Sequence, residues 1–129
     1  MKNINNFRGM LLEEALIFLL RKSGYSTIEK AGTDPTLKDG KSGIEVIGRG
    51  EKHQIDAIAD FKVSPPFSNP QRLLLEGKFY KSKNPVGLQV LRNAVGVLKD
   101  VNEFFYSTDL EKKPLKKRYH YTYSIFSAS

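Results

Sequence analysis

Apolar residues recur at helical spacing near the start of the chain, over Phe7–Ser23. Gly24 follows this segment, and Arg21 and Lys22 stand where its last turn would be, a position that suits cations because of the helix dipole. The pattern therefore predicts a helix over Phe7–Ser23 that packs on a sheet or on another helix through one broad stripe. The stripe consists of Leu11, Leu12, Ala15, Leu16, Leu19 and Leu20.

Strand patterns occupy the middle of the chain. Alternating or continuous apolar residues predict strands over Ile44–Arg49, Gln54–Val63 and Leu73–Tyr80. Tyr25–Glu29 is either a short strand or a turn that leaves the first helix. Lys30–Ser42 contains a glycine, an Asp-Pro pair and an Asp-Gly pair without apolar periodicity, which predicts a mobile loop.

The second half predicts a hairpin, a crossover helix and a closing strand. Ser64–Gln71 is rich in proline, so it should join the two flanking strands as an antiparallel hairpin. A helix is expected from Pro85 to about Phe105, followed by an exposed basic loop over Ser107–Arg118 and an aromatic strand over Tyr119–Phe126. The predicted class is α/β, with a mixed sheet of about four strands flanked by helices in the order α-β-β-β-α-β.

Composition and net charge limit the classes of partner and the cellular compartment that we expect. The chain has 129 residues, which suits one domain over 1–129, and its formal net charge of +7 favours an anionic partner, with nucleic acid first and a merely soluble basic domain as the alternative. Without cysteine it has neither disulfides nor thiolate zinc sites, which is consistent with a reducing compartment, so we expect a cytoplasmic protein. The longest apolar run, Met10–Leu20, is interrupted by two glutamates and is shorter than the ~20 residues of a membrane helix, so no membrane partner is expected.

Several charged residues are expected to lie near one edge of the predicted sheet. Glu76 and Lys78 stand two residues apart on one strand and therefore share a face. Asp56 begins the preceding strand, and although a lone aspartate is usually a turn or cap residue, hairpin pairing can bring Asp56 beside Glu76. Glu13 lies at the margin of the helical stripe, and a carboxylate at the edge of a buried face needs a partner. Glu14 lies away from the centre of the stripe, where simple solvation is the stronger alternative. Two carboxylates with a nearby ammonium predict a Mg²⁺ site for hydrolysis.

Four blocks in this order resemble the PD-(D/E)XK nuclease superfamily, and most closely its Mrr-like restriction endonuclease branch. They are GMLLEEALIFLLRKSGY from Gly9, GRGEKHQIDAIAD from Gly48, LLLEGKFY from Leu73 and PVGLQVLRNAVGVL from Pro85. The resemblance implies a restriction-endonuclease-like fold. In that family a further helix often follows the last strand, so this chain is expected to be either a short member or one that ends early.

The resemblance also implies site residues. It implies Mg²⁺, with Mn²⁺ as a substitute, bound by Asp56, Glu76 and the carbonyl of Gly77, with Lys78 as the catalytic lysine and Glu13 completing the site. One departure from the family pattern is that no proline precedes Asp56. The implied function is a Mg²⁺-dependent DNA endonuclease that hydrolyses phosphodiester bonds.

Further residues are candidates for contacts with DNA. Lys81 and Lys83 form a basic segment after the Glu-x-Lys strand, and Gln89 and Arg92 fall in the first turns of the following helix, where the alternative is simple solvation. His53 stands three positions before the metal-binding aspartate and should point to the opposite face. We therefore expect it outside the metal shell, either contacting DNA or without a role.

The same residues are also compatible with two other functions. One is a DNA-binding module that keeps the nuclease fold without turnover, although such a protein would more often have lost one of Asp56, Glu76 or Lys78. The other is a structure-selective resolvase of branched DNA, which uses the same chemistry. Cutting both strands would favour a homodimer.

Overall fold

The computed structural model describes residues 2–79, 87–103 and 119–128. Within these ranges the protein is α/β, with a four-stranded mixed sheet in the order β1-β5-β6-β7 and a three-stranded antiparallel sheet in the order β2-β3-β4. The helices are α1 (Lys2–Lys22) and α2 (Leu88–Asn102). The strands are β1 (Tyr25–Ile28), β2 (Leu37–Gly40), β3 (Gly43–Ile47), β4 (Lys52–Gln54), β5 (Ala57–Phe61), β6 (Gln71–Phe79) and β7 (His120–Ala128).

The pairing in the larger sheet confirms the predicted hairpin and closing strand. Strand β5 runs antiparallel to β6, with Ala57 opposite Leu75. Strand β7 runs parallel to β6 along its whole length. The carboxyl ends of β1, β6 and β7 and the start of β5 therefore meet at one edge of the sheet, which we call the site edge.

Both faces of the four-stranded sheet are covered. Helix α1 packs on one face, in an apolar cluster formed by Leu16, Leu20, Ala57, Ala59 and Leu75. The small sheet and α2 pack on the other face, in a cluster that includes Ile44, Val46, Ile58, Leu74, Val97 and Val101. The alternation of β5 and β6 divides their side chains between the two clusters. Among the described residues, no helix is long and apolar enough to cross a membrane.

The buried stripe of α1 is narrower than predicted. Helix α1 begins five residues before the predicted Phe7, and beyond its end Gly24 has a φ of +90°, in the left-handed region. Leu16 and Leu20 are buried, but Leu11, Ala15 and Leu19 are exposed, so the assignment of these three residues to the packing face was wrong. The sheet touches a single ridge of α1, and residues a quarter turn away face solvent. Leu91 of α2 is exposed for the same reason.

The predicted strand over Gln54–Val63 is in fact two strands. The chain bends at Ile55 and Asp56, so that β4 pairs with β3 in the small sheet and β5 pairs with β6 in the larger one. Because of this bend, Ile55 packs in the cluster of the small sheet and not on the α1 side.

The prediction of a loop throughout Lys30–Ser42 was also wrong. Leu37–Gly40 forms β2, which pairs antiparallel with β3. Four residues are too few to show a period, and this strand exists because β3 supplies its hydrogen-bonding partners. The alternative of a short strand at Tyr25–Glu29 is confirmed, since Tyr25–Ile28 forms β1.

Candidate active site

Asp56 lies in the bend that precedes β5, at the site edge. The last pair of the β5–β6 ladder is Ala57 with Leu75, which places Asp56 opposite Glu76 by continuation of the register. The Asp56 Oδ2 atom accepts a hydrogen bond of 2.9 Å from the backbone N–H of Gly77. The predicted approach of Asp56 to the Glu76-Gly77-Lys78 segment is therefore present, although Asp56 itself is a bend residue and not part of the strand.

Glu76 is held by two neighbours. Its Oε1 atom lies 2.7 Å from the Nζ atom of Lys78, and its Oε2 atom accepts a hydrogen bond of 2.7 Å from the hydroxyl of Tyr123 on β7. The side chain of Glu76 is 17% exposed, and that of Lys78 is 38% exposed. The ion pair confirms that the two charges share one face of β6.

These contacts decide the charge of Glu76. Burial raises the pKa of its carboxyl, but the hydrogen bonds from Lys78 and Tyr123 and the charge of Lys78 outweigh this effect and leave the pKa below its ordinary value. Burial and the neighbouring Glu76 carboxylate raise the pKa of the Tyr123 hydroxyl, which keeps it protonated as a donor. The charge of Asp56 acts in the same direction on Tyr123, which shows that Asp56, Glu76 and Tyr123 form one electrostatic cluster.

Glu13 joins this cluster from α1. Its exposed side chain and Asp56 line the same hollow of about 320 Å³, between α1, β1 and the small sheet. Although much of the Glu13 side chain is exposed, its partial burial raises the pKa of the carboxyl, and the charges of Asp56 and Glu14 raise it further. Helix α1 can reach the site edge because it lies close to Gly77, where an added Cβ would stand 3.4 Å from side-chain atoms of Leu12 and Leu16. Leu12 and Leu16 of α1 therefore lie directly beside the Glu-Gly-Lys segment.

The donor atoms at this edge suit a hard divalent cation. Mg²⁺ binds carboxylate and carbonyl oxygens and commonly keeps several waters beside one or two carboxylates. Asp56, Glu76 and the carbonyl of Gly77 provide this set. Each carboxylate oxygen has two lone pairs, so the hydrogen bonds to Glu76 and Asp56 leave acceptor capacity. Over the part of the chain that the structure describes, however, no group of three or more His, Cys, Asp or Glu side chains is arranged to hold a metal ion.

Three of the predicted DNA-contacting residues, His53, Gln89 and Arg92, line a different hollow from the one that Glu13 and Asp56 share. The His53 side chain is 11% exposed, and its Nε2 atom lies 2.7 Å from Oδ2 of Asp100 on α2. Gln89 and Arg92 are exposed on α2, and with His53 they line a second hollow of about 610 Å³, which we call the α2 hollow. Lys81 and Lys83 lie outside the described residues.

Sequence reasoning missed two parts of this region. Tyr123 was assigned to the predicted aromatic strand but not to Glu76, although a crossover helix between that strand and β6 was a usable signal for their parallel pairing. Asp100 was not considered at all. It anchors the β3–β4 turn to α2 by accepting hydrogen bonds from the backbone N–H groups of Gly50 (2.8 Å) and Glu51 (3.3 Å). No short motif marks this contact, because its partners are about fifty residues apart.

Comparisons of the whole chain give no family assignment. Neither a protein-family model, nor a curated protein, nor a solved structure matches it. The functional argument therefore rests on the residues and geometry of the site edge.

Proposed function

We propose that this protein is a Mg²⁺-dependent DNA endonuclease with a restriction-endonuclease-like fold, which hydrolyses phosphodiester bonds at the site edge. The observation that carries the proposal is the hydrogen bond from the Gly77 N–H to Asp56, which joins the bend aspartate to the Glu76-Gly77-Lys78 segment. The resemblance of the four sequence blocks to PD-(D/E)XK nucleases and the net charge of +7 support the same function.

Each residue has a defined part in the proposed hydrolysis. Asp56, Glu76 and the carbonyl of Gly77 would hold Mg²⁺, which would supply Lewis-acid polarisation of the scissile phosphate. The ammonium of Lys78, fixed beside Glu76, would orient the attacking water and stabilise charge that develops on the phosphate. The water oxygen forms a bond to phosphorus, the bond from phosphorus to one bridging oxygen breaks, and the departing oxygen takes up a proton.

Glu13 and Tyr123 would act on this arrangement from its two sides. Tyr123 holds Glu76 in place through its 2.7 Å hydrogen bond. Glu13 shares a hollow with Asp56, and its raised pKa makes it a weaker acid than an isolated glutamate and a better acceptor for a proton of the attacking water. In a homodimer, two such site edges would serve the two strands of a duplex.

A non-catalytic DNA-binding module is the second candidate, and one observation favours it. Both oxygens of Glu76 already have partners, Lys78 and Tyr123, and the described residues contain no group of three metal-binding side chains. In such a protein the Glu76–Lys78 pair would only stabilise the end of β6.

A cleavage assay separates these functions. Linear, methylated and branched duplexes would be incubated with the protein and Mg²⁺ or Mn²⁺, and binding would be measured in parallel without metal. The proposal expects metal-dependent cleavage, whereas binding without cleavage of any duplex would establish the non-catalytic module. Cleavage confined to branched duplexes would identify a structure-selective resolvase. Absence of both binding and cleavage would contradict all three functions.

Matched variants assign the chemistry to the site edge. Asp56→Asn and Lys78→Met should lower the cleavage rate by a factor of about 100 or more, in line with the effect of removing a positioned catalytic group. Lys62→Met, at an exposed position after β5, is the control for charge. Glu13→Gln should lower the rate, whereas Glu14→Gln should not, because only Glu13 lines the hollow with Asp56. Full activity in Asp56→Asn or Lys78→Met would overturn the assignment.

A further inference from the structure

The α2 hollow has two fixed walls. One is the exposed face of α2 that carries Gln89, Arg92 and Asn93, and the other is the turn between β3 and β4. Asp100 holds this turn rigidly to α2, since its side chain accepts hydrogen bonds from the N–H groups of Gly50 and Glu51 and its carbonyl accepts one of 3.1 Å from the N–H of Arg49. The hollow is therefore formed before any ligand arrives. Its volume of about 610 Å³ falls in the range of small-ligand sites.

The hydrogen-bonding groups on α2 are available to a ligand. Gln89, Arg92 and Asn93 are spaced three and four residues apart and so lie on one side of the helix. All three are exposed, and the side chain of none of them forms a hydrogen bond or an ion pair with another described residue. Amide and guanidinium side chains are those that form paired hydrogen bonds with the edges of adenine and guanine.

The charges of the hollow argue against a phosphate as its ligand. The hollow is lined by one guanidinium, that of Arg92, and by the carboxylates of Glu51 and Asp100. A phosphate would be repelled by these carboxylates, while the edge of a base presents both donors and acceptors and suits a lining of mixed character. Glu51 is exposed, and its carboxylate can accept a hydrogen bond from an amino group of a base.

The α2 hollow lies on the face of the four-stranded sheet that carries Glu76 and Lys78, opposite the face covered by α1. Side chains alternate along β6, so Glu76 and Lys78 share the face of Leu74, which belongs to the same buried cluster as Val97 of α2. Helix α2 also follows the end of β6 in the chain, after the interval 80–87. One polymer could therefore contact both the site edge and the α2 hollow.

We propose that the α2 hollow binds the hydrogen-bonding edge of a DNA base, and that Gln89, Arg92 and Asn93 thereby give the protein a sequence preference. The proposal rests on the proposed function only for the choice of DNA as the polymer. The base is presented either in the groove of a duplex or in a single strand, and both sources expose the donors and acceptors of its major-groove edge.

Gly96 offers a way to block the hollow without disturbing the fold. A Cβ added there would meet nothing within 4 Å outside its own helix. Leucine and alanine also favour a helix more than glycine does, so neither Gly96→Leu nor Gly96→Ala should destabilise α2. The larger side chain would fill the space, whereas Gly96→Ala is a control that leaves most of it open.

The test measures binding in EDTA, so that its outcome does not depend on cleavage. The protein would be used to select ligands from randomised duplex and single-stranded DNA libraries. The ratio of the Kd for a scrambled sequence to the Kd for a selected sequence would then be compared among the wild type and the variants. The wild type should discriminate about tenfold or more, as expected for a paired contact with a base edge. The library that yields the preference identifies the source of the base.

The variants distinguish a base contact from a phosphate contact. Arg92→Lys keeps the charge but loses the paired geometry, so it should abolish most of the discrimination while changing the Kd for scrambled DNA less than about twofold. Gly96→Leu should act likewise, whereas Gly96→Ala and the surface variant Lys99→Ala should retain the preference. Absence of a preference in the wild type, or an equal loss of affinity for all sequences in Gly96→Leu, would overturn the proposal. Loss of cleavage in a protein that keeps its preference would contradict only the nuclease function.

Discussion

Arg72 provides the sharpest test of the fold, because its guanidinium is buried and joins the two sheets. The side chain is 1% exposed and lies on β6. Its Nε atom donates to Oδ1 of Asp60 at 2.7 Å, its Nη2 atom donates to Oδ2 of Asp34 at 2.8 Å, and its Nη1 atom donates to Oγ1 of Thr36 at 2.9 Å. The guanidinium also stacks over the ring of Tyr119, 3.6 Å from its centre. The segment before β2 is thus bound to the larger sheet through one cation.

Replacing Arg72 by methionine would keep much of the apolar stem and remove the charge. Loss of one partner from a buried ion pair costs roughly 3–5 kcal/mol, because the other partner is left without compensation. Asp34 and Asp60 remain partly exposed to water, so we expect a loss near the lower end, about 3 kcal/mol in the free energy of unfolding. The melting temperature should fall by about 10 °C.

The loss of stability caused by Arg72→Met should also depend on pH. Burial raises the pKa of Asp34, but hydrogen bonds from Thr36 and Arg72 outweigh it, and the net pKa is lowered. A carboxyl with a lowered pKa in the folded state contributes stability that is present above its ordinary pKa and is lost as the pH falls through the lowered value. The difference between wild type and Arg72→Met should therefore be constant near neutral pH and shrink below the ordinary value of 3.8.

Urea unfolding followed by circular dichroism would measure these differences. Arg21→Met is the matched control, since Arg21 forms an exposed pair with Glu29 at 3.2 Å and such pairs contribute less than about 1 kcal/mol. An Arg72→Met variant as stable as Arg21→Met at neutral pH would refute the buried cluster. A difference in the free energy of unfolding between wild type and Arg72→Met that grows as the pH falls below 3.8 would contradict the lowered pKa of Asp34.

Two further predictions concern the site edge and the β3–β4 turn. Tyr123→Phe removes the hydrogen bond to Glu76, so the pKa of Glu76 should rise and the acid limb of the cleavage pH profile should move to higher pH. The cleavage rate should fall about tenfold. An unchanged pH profile would contradict a positioning role for Tyr123. The pKa of Asp100 is lowered, first by the hydrogen bond from His53 and then by the backbone N–H of Gly50. Asp100→Asn should therefore be less stable than wild type above pH 3.8, and the difference in stability should vanish as the pH falls through the lowered pKa of Asp100. Hydrogen exchange of the Gly50 amide should be faster in this variant. An unchanged exchange rate would contradict an anchoring role for Asp100.

Local patterns were sufficient for the elements whose partners are close in sequence. The hairpin of β5 and β6 follows from two apolar segments around a proline-rich connection, and its pairing brought Asp56 to the Glu76-Gly77-Lys78 segment as predicted. The shared face of Glu76 and Lys78 follows from strand alternation alone. The margin position of Glu13 follows from the helical period. The sequence by itself thus determined the α/β class, the mixed sheet and the grouping of the candidate site.

Only the tertiary structure decided the features that depend on distant partners. The bend at Asp56 exists because one segment serves two sheets, and β2 exists because β3 pairs with it. Tyr123 reaches Glu76 only through the parallel register of β7, and Arg72 acquires Asp34 and Thr36 as partners only when the small sheet docks on the larger one. Hydrogen bonds and ion pairs between residues far apart in sequence have no period, so no local pattern could have predicted them.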